Sequence, residues 1–161
     1  MQHSIRNLVR GALIAALYAL LTLAVQPLSS GLMQVRVSEA LCVLPYFTFS
    51  AVPGLLIGCV IANLAVGGIF LDVVFGSLAT FAAALITYFL GKYGKSRFLA
   101  PLPAVLVNAV VIGAVLRYGY EVPAPLYLCM LSVGAGQAIS CYCLGLPLML
   151  LLERHASKLL R

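Results

Sequence analysis

Four polar side chains, Gln34, Arg36, Ser38 and Glu39, fall within six positions of one another in a chain in which 9% of residues are charged. They belong to the run QVRVSEAL at 34–41, between two apolar segments long enough to interest a bilayer. A charge in or near hydrocarbon is costly unless it is paired or wet, so this run is read as closing and partly lining a small-molecule site near one membrane face. An ionised Glu39 offers two acceptor oxygens and no donor, which suits a planar edge with adjacent N–H groups, as guanine-like rings have. A second account needs no ligand: Ser38 caps the helix that follows, Glu39 offsets its positive end, and Arg36 pairs with Glu39.

Three amides, Asn63, Asn108 and Gln137, stand in otherwise apolar runs. An amide both donates and accepts, so it either reads the edge of a heterocycle or bridges two helices, the commoner use in membranes. Asn63 and Gln137, a turn or two from a helix end, fit both uses; Asn108, nearer mid-span, leans to bridging. Asp72 opens an apolar helix, where its charge complements the dipole. An uncharged cap would have served equally, and a cationic substituent on a ligand would favour the carboxylate. Tyr118, Tyr120 and Glu121 cluster at an interface; an aromatic belt explains the tyrosines, and stacking of one on a ring is the alternative in a chain without Trp.

The elements that must position these groups are membrane helices. The chain has 161 residues, 63% of them hydrophobic, with a mean hydropathy of +1.11, against roughly 45–50% apolar residues in a soluble domain. One integral membrane domain is expected, all-α, with helices at 8–25, 38–49, 52–66, 72–91, 100–117 and 124–153. The second and third are short and have Pro45 and Pro53 within or beside them. The first resembles a signal sequence in its basic flank, but further apolar runs follow, and it is read as a mature span. Six spans put both termini on one side. Assigning that side to the cytoplasm places Arg6, Arg10, Lys92, Lys95, Arg97, Arg154, Lys158 and Arg161 inside, leaving Arg36 and Arg117 outside. Glu39, Asp72 and Glu121 then lie at outer helix ends, where the loop after the first span, the loop 67–71 and the turn 118–125 converge.

Several function classes are disfavoured. The net charge of +6 is spread over span ends rather than along a basic stripe with interleaved aromatics, so nucleic acid is not the expected partner. Five cysteines (Cys42, Cys59, Cys129, Cys141 and Cys143), without CxxC spacing, read as reduced, buried apolar side chains rather than as a disulfide framework or a metal site. The run GKYGKS at 91–96 approaches a phosphate-binding loop, but Phe89 stands where its first Gly belongs. Neither His3 nor His155 lies within a span and no nucleophile adjoins a base, so an enzyme is not expected. Ala12 with Ala16, and Ala15 with Ala19, repeat one helical turn apart, as do Gly54 and Gly58, and such strips let helices approach closely. They suit packing inside a bundle, docking of a partner, or a self-sufficient homo-oligomeric channel or carrier.

The strings QVRVSEALCVLPYF (34–47), IANL (61–64), LDVVFGSLAT (71–80) and CLGLPLMLLLE (143–153) resemble the QueT family, substrate-binding S components of energy-coupling factor (ECF) transporters associated with uptake of queuosine precursors. The resemblance covers nearly the whole chain. It implies a six-helix protein of the bacterial plasma membrane that captures a 7-deazapurine, such as queuine or its aminomethyl precursor, from outside. It also implies a membrane coupling subunit and two cytoplasmic ATPases as partners; this chain carries no cofactor, and the ATP is used by those ATPases. Ala12 and Ala16, with Ala15 and Ala19, match the alanine-rich docking positions of the family's first helix, and Gln34, Arg36 and Glu39 match its ligand-holding loop. One departure is Gln137, where the family more often carries Glu, so a charged contact there becomes neutral.

Overall fold

The computed structural model describes residues 2–25 and 35–156. Six helical segments follow one another where apolar runs predict them: α1 (Gln2–Ala24), a 3-10 helix (Val37–Tyr46), α2 (Ala51–Ala65), α3 (Ser77–Lys92) entered through a π turn (Asp72–Gly76), α4 (Leu102–Tyr118), and α5 (Leu126–Ala138) continuing through a π segment (Ile139–Gly145) into α6 (Leu146–Ala156). Four stretches, Ser4–Ala24, Asp72–Lys92, Arg97–Tyr118 and Leu126–His155, are long and apolar enough to cross a membrane. Large apolar side chains such as Leu8, Leu13, Leu64, Phe70 and Leu131 stay exposed on the bundle surface, as lipid-facing residues do.

The second segment departs from the expected α-helix. Its ten residues wind as a 3-10 helix, and seven of them are buried. A 3-10 helix rises about 2.0 Å per residue, so this run extends farther than an α-helix of equal length. It is also narrower, and the small side chains of Ser38, Ala40 and Cys42 let neighbours close around it. Those neighbours supply glycine at the nearest points: Gly91 leaves no space for a Cβ beside the Tyr46 carbonyl, and a Cβ on Gly145 would sit 3.0 Å from the Ala40 oxygen. A rod enclosed on nearly every side needs no amphipathic stripe, so the helix expected at 38–49 carries no period that separates 3-10 from α winding.

Small residues also fix α1 on α2. A Cβ on Gly54 would lie 2.7 Å from the Gly11 oxygen, and one on Gly58 2.9 Å from the Ala15 oxygen. The two alanine pairs of α1 therefore part company. Ala15 and Ala19 are buried, Ala19 in a core with Tyr18, Leu55 and Cys59. Ala12 and Ala16 face outward. At the Arg97 end, an Arg97–Glu153 ion pair of 2.6 Å and a hydrogen bond from the Tyr46 hydroxyl to the Lys95 carbonyl (2.6 Å) tie the segments together.

A buried polar cluster as candidate binding site

Asp72 enters the π turn with its carboxylate pointing inward, 5% exposed. Arg36, just ahead of the 3-10 helix, bridges two elements: its Nη2 is 3.5 Å from Asp72 Oδ2, and its Nη1 donates to Asn63 Oδ1 on α2 at 3.2 Å. Asn63 Nδ2 in turn donates to the Asp72 carbonyl (3.3 Å) and Tyr120 Oη to Asp72 Oδ2 (3.2 Å). Tyr120 also accepts from the Ile69 N–H at 3.4 Å, so the turn after α4 and the loop after α2 do converge. Burial disfavours charge on Arg36, but Tyr18, Asp72 and Glu39 outweigh it and hold the guanidinium above its ordinary range. Burial and then the Asp72 charge push the Tyr120 phenol upward, keeping it a donor at neutral pH.

One turn deeper, Glu39 is 2% exposed and accepts from Tyr18 Oη at 2.5 Å. The ligand-free account of this run is therefore corrected. Arg36 pairs with Asp72 rather than Glu39, because the guanidinium reaches across to α2 and the π turn. Ser38 lies inside the 3-10 helix, whose N-cap is Arg36, and its hydroxyl accepts from Thr22 Oγ1 at 2.8 Å. Tyr18 was missed by sequence reasoning. A phenol inside an alanine- and leucine-rich helix, with Thr22 one turn on and on the same face, is the signal that could have found it.

Glu39, Thr80 and Asn108 line two adjoining gaps in the packing, the less polar of them too narrow for a water. The more polar one adds Arg36, Gly76 and Gln137 and leaves about 10 Å³ for the centre of a water-sized sphere, room for about one water. A bicyclic base fits only if the walls separate. Asn108, expected to bridge helices, instead brings an Oδ1 without a partner among the described residues. Gln137 Oε1 accepts from Cys141 Sγ at 3.5 Å. Gly76 lets the wall close in, since a Cβ there would stand 3.3 Å from Asn63 Nδ2. The π turns add a residue to the helical turn beside Gly76 and just after Gln137, and such bulges occur frequently at functional sites.

Two other sequence candidates, Tyr118 and Glu121, are not gathered here. Tyr118, at the end of α4, is 71% exposed. Glu121 is exposed in the following turn with φ 53°. Gln34 lies outside the described residues. Cys143, expected buried, is exposed, whereas the other four cysteines are buried.

The arrangement gathers carboxylates, amides and hydroxyls in an apolar shell, groups that together donate and accept hydrogen bonds. A family model described as QueT transporter matches residues 8–154. No curated protein and no solved structure matches the chain.

Proposed function

The chain belongs to the QueT transporter family, a family of membrane transporters and not of enzymes, and from that premise we propose that it is the substrate-binding S component of an ECF importer for a queuosine precursor of 7-deazaguanine type. The observation that carries this reading is the buried Glu39 beside a cavity shared with Asn108, Thr80 and Gln137. A carboxylate accepting from adjacent ring and exocyclic N–H groups, with amides addressing the carbonyl and ring nitrogen, is complementary to a guanine-like edge. The apolar wall around Leu55 and Ala84 suits the faces of the ring.

In this reading the Asp72 end of the bundle faces outside, and the basic cluster with Arg97 faces the cytoplasm, with six crossings and both termini within. The base enters as Arg36 swings away from Asp72 and the 3-10 helix separates from its neighbours. Asp72, released from Arg36, then meets an aminomethyl cation where the ligand carries one. Ala12 and Ala16, on the outward face of α1, dock the coupling subunit, and two ATPases drive release. Calorimetric titration of the purified protein with a panel of 7-deazaguanines and guanine tests the proposal. Saturable binding of the deazaguanines supports it, and heats indistinguishable from dilution for the whole panel overturn it.

A further inference from the structure

Cys42 on the 3-10 helix and Cys141 in the π segment point at one another across the wall between Glu39 and Gln137. Their sulfurs are 3.3 Å apart, although 99 positions separate them in sequence. Both are free and buried, and they share a core with Val43, Ala83 and Met149. Cys141 Sγ also approaches the Glu39 carbonyl (3.6 Å) and Gln137 Oε1 (3.5 Å), so the pair sits directly behind the polar cavity. The helices carrying them already meet closely, with Gly145 against the Ala40 oxygen. A disulfide requires the sulfurs to close to about 2.05 Å, a shift of the order of one ångström.

We propose that Cys42 and Cys141 are an oxidation site whose disulfide staples the two walls of the cavity together and shuts it to ligand. The oxidant is a small membrane-permeant peroxide. One thiol, as thiolate, attacks a peroxide oxygen and breaks the O–O bond, giving a sulfenic acid; the displaced hydroxide leaves as water with the thiol's proton. The second thiol attacks the oxidised sulfur, the S–S bond forms, and the hydroxyl departs with the second proton as another water. Two thiols are oxidised and one peroxide is reduced to two waters. The effect on ligand rests on the binding role proposed above: the cavity must widen to take a base, and its walls diverge along the seam that the disulfide closes.

The test oxidises the purified full-length chain with hydrogen peroxide, then denatures and alkylates it with N-ethylmaleimide. Of the five thiols, three are expected to remain reactive. The unalkylated chain should be lighter by two hydrogens, and peptide mapping should join the Cys42 and Cys141 segments. A 7-deazaguanine titrated into oxidised protein should bind at least tenfold more weakly, with recovery after dithiothreitol, while Cys42→Ala should keep its affinity through the same treatment. Five alkylated thiols, a different pair, or over-oxidation without a crosslink overturns the proposal, and so does a crosslinked protein that binds as tightly as the reduced one. Failure of the reduced protein to bind any deazapurine counts against the binding role instead, and the mass measurement still decides whether the thiols join.

Discussion

Two buried carboxylates in this protein are answered differently, and their variants should behave differently. Asp72 faces a guanidinium and a phenol, so removing Arg36 leaves a carboxylate in a poorly solvated place. Breaking one side of such a pair costs about 3 kcal/mol or more, whereas neutralising both sides is often tolerated. Arg36→Gln should therefore lower the unfolding temperature clearly, and Arg36→Gln combined with Asp72→Asn should recover part of that loss in a thermal melt. Equal or additive losses would contradict the pairing. Asn108 offers a sharper separation of roles. Its Oδ1 is buried without a partner among the described residues, and such a group costs about 1–3 kcal/mol. Asn108→Leu, branched at the same carbon and with as many side-chain heavy atoms, should leave the melting temperature unchanged or raised while weakening deazaguanine binding several-fold. A helix-bridging amide would give the reverse, lower stability with binding intact.

At the scale of elements, the close α1–α2 crossing should tolerate little added volume. Gly58→Val places methyls where even a Cβ would stand 2.9 Å from backbone and from Tyr18, and overpacking of this kind costs about 1–3 kcal/mol. Urea or thermal unfolding in mild detergent should show that loss. Ala12→Leu, on the outward face of the same helix, should not. The existence and order of the helical segments were legible from apolar run length, and the convergence of the 67–71 loop and the 118–125 turn followed from that order. Three features were not. The 3-10 winding of Val37–Tyr46 follows from enclosure by neighbouring glycines, which no local pattern encodes. The Tyr18–Glu39 and Arg36–Asp72 pairings depend on where α1 and the π turn lie in space; sequence proximity favoured Arg36 with Glu39. The separation of Ala15 and Ala19 from Ala12 and Ala16 depends on which face α2 occupies. Glu39, Asn63, Asp72 and Gln137 were legible because a polar side chain in an apolar run stands out whatever the fold.

For the molecule as a whole, the proposed function makes this bundle one part of a larger importer. Purification from its native membrane under mild conditions should recover a membrane subunit and two ATPases, and uptake of the base should stop when ATP is depleted. Ala12→Leu should reduce recovery of those partners while leaving base binding by the isolated chain unchanged. Recovery of the chain alone, with ATP-independent uptake, would favour a self-sufficient carrier. The central claim is that Glu39, deep in the bundle and held by Tyr18, grips the edge of a flat heterocycle. Its most direct test is the dissociation constant of one 7-deazaguanine, measured calorimetrically for the unaltered protein and for Glu39→Gln at matched folding. The account predicts at least a tenfold loss, about 1.4 kcal/mol, with an unfolding temperature that stays above that of the titration. Equal dissociation constants in the two proteins would contradict it.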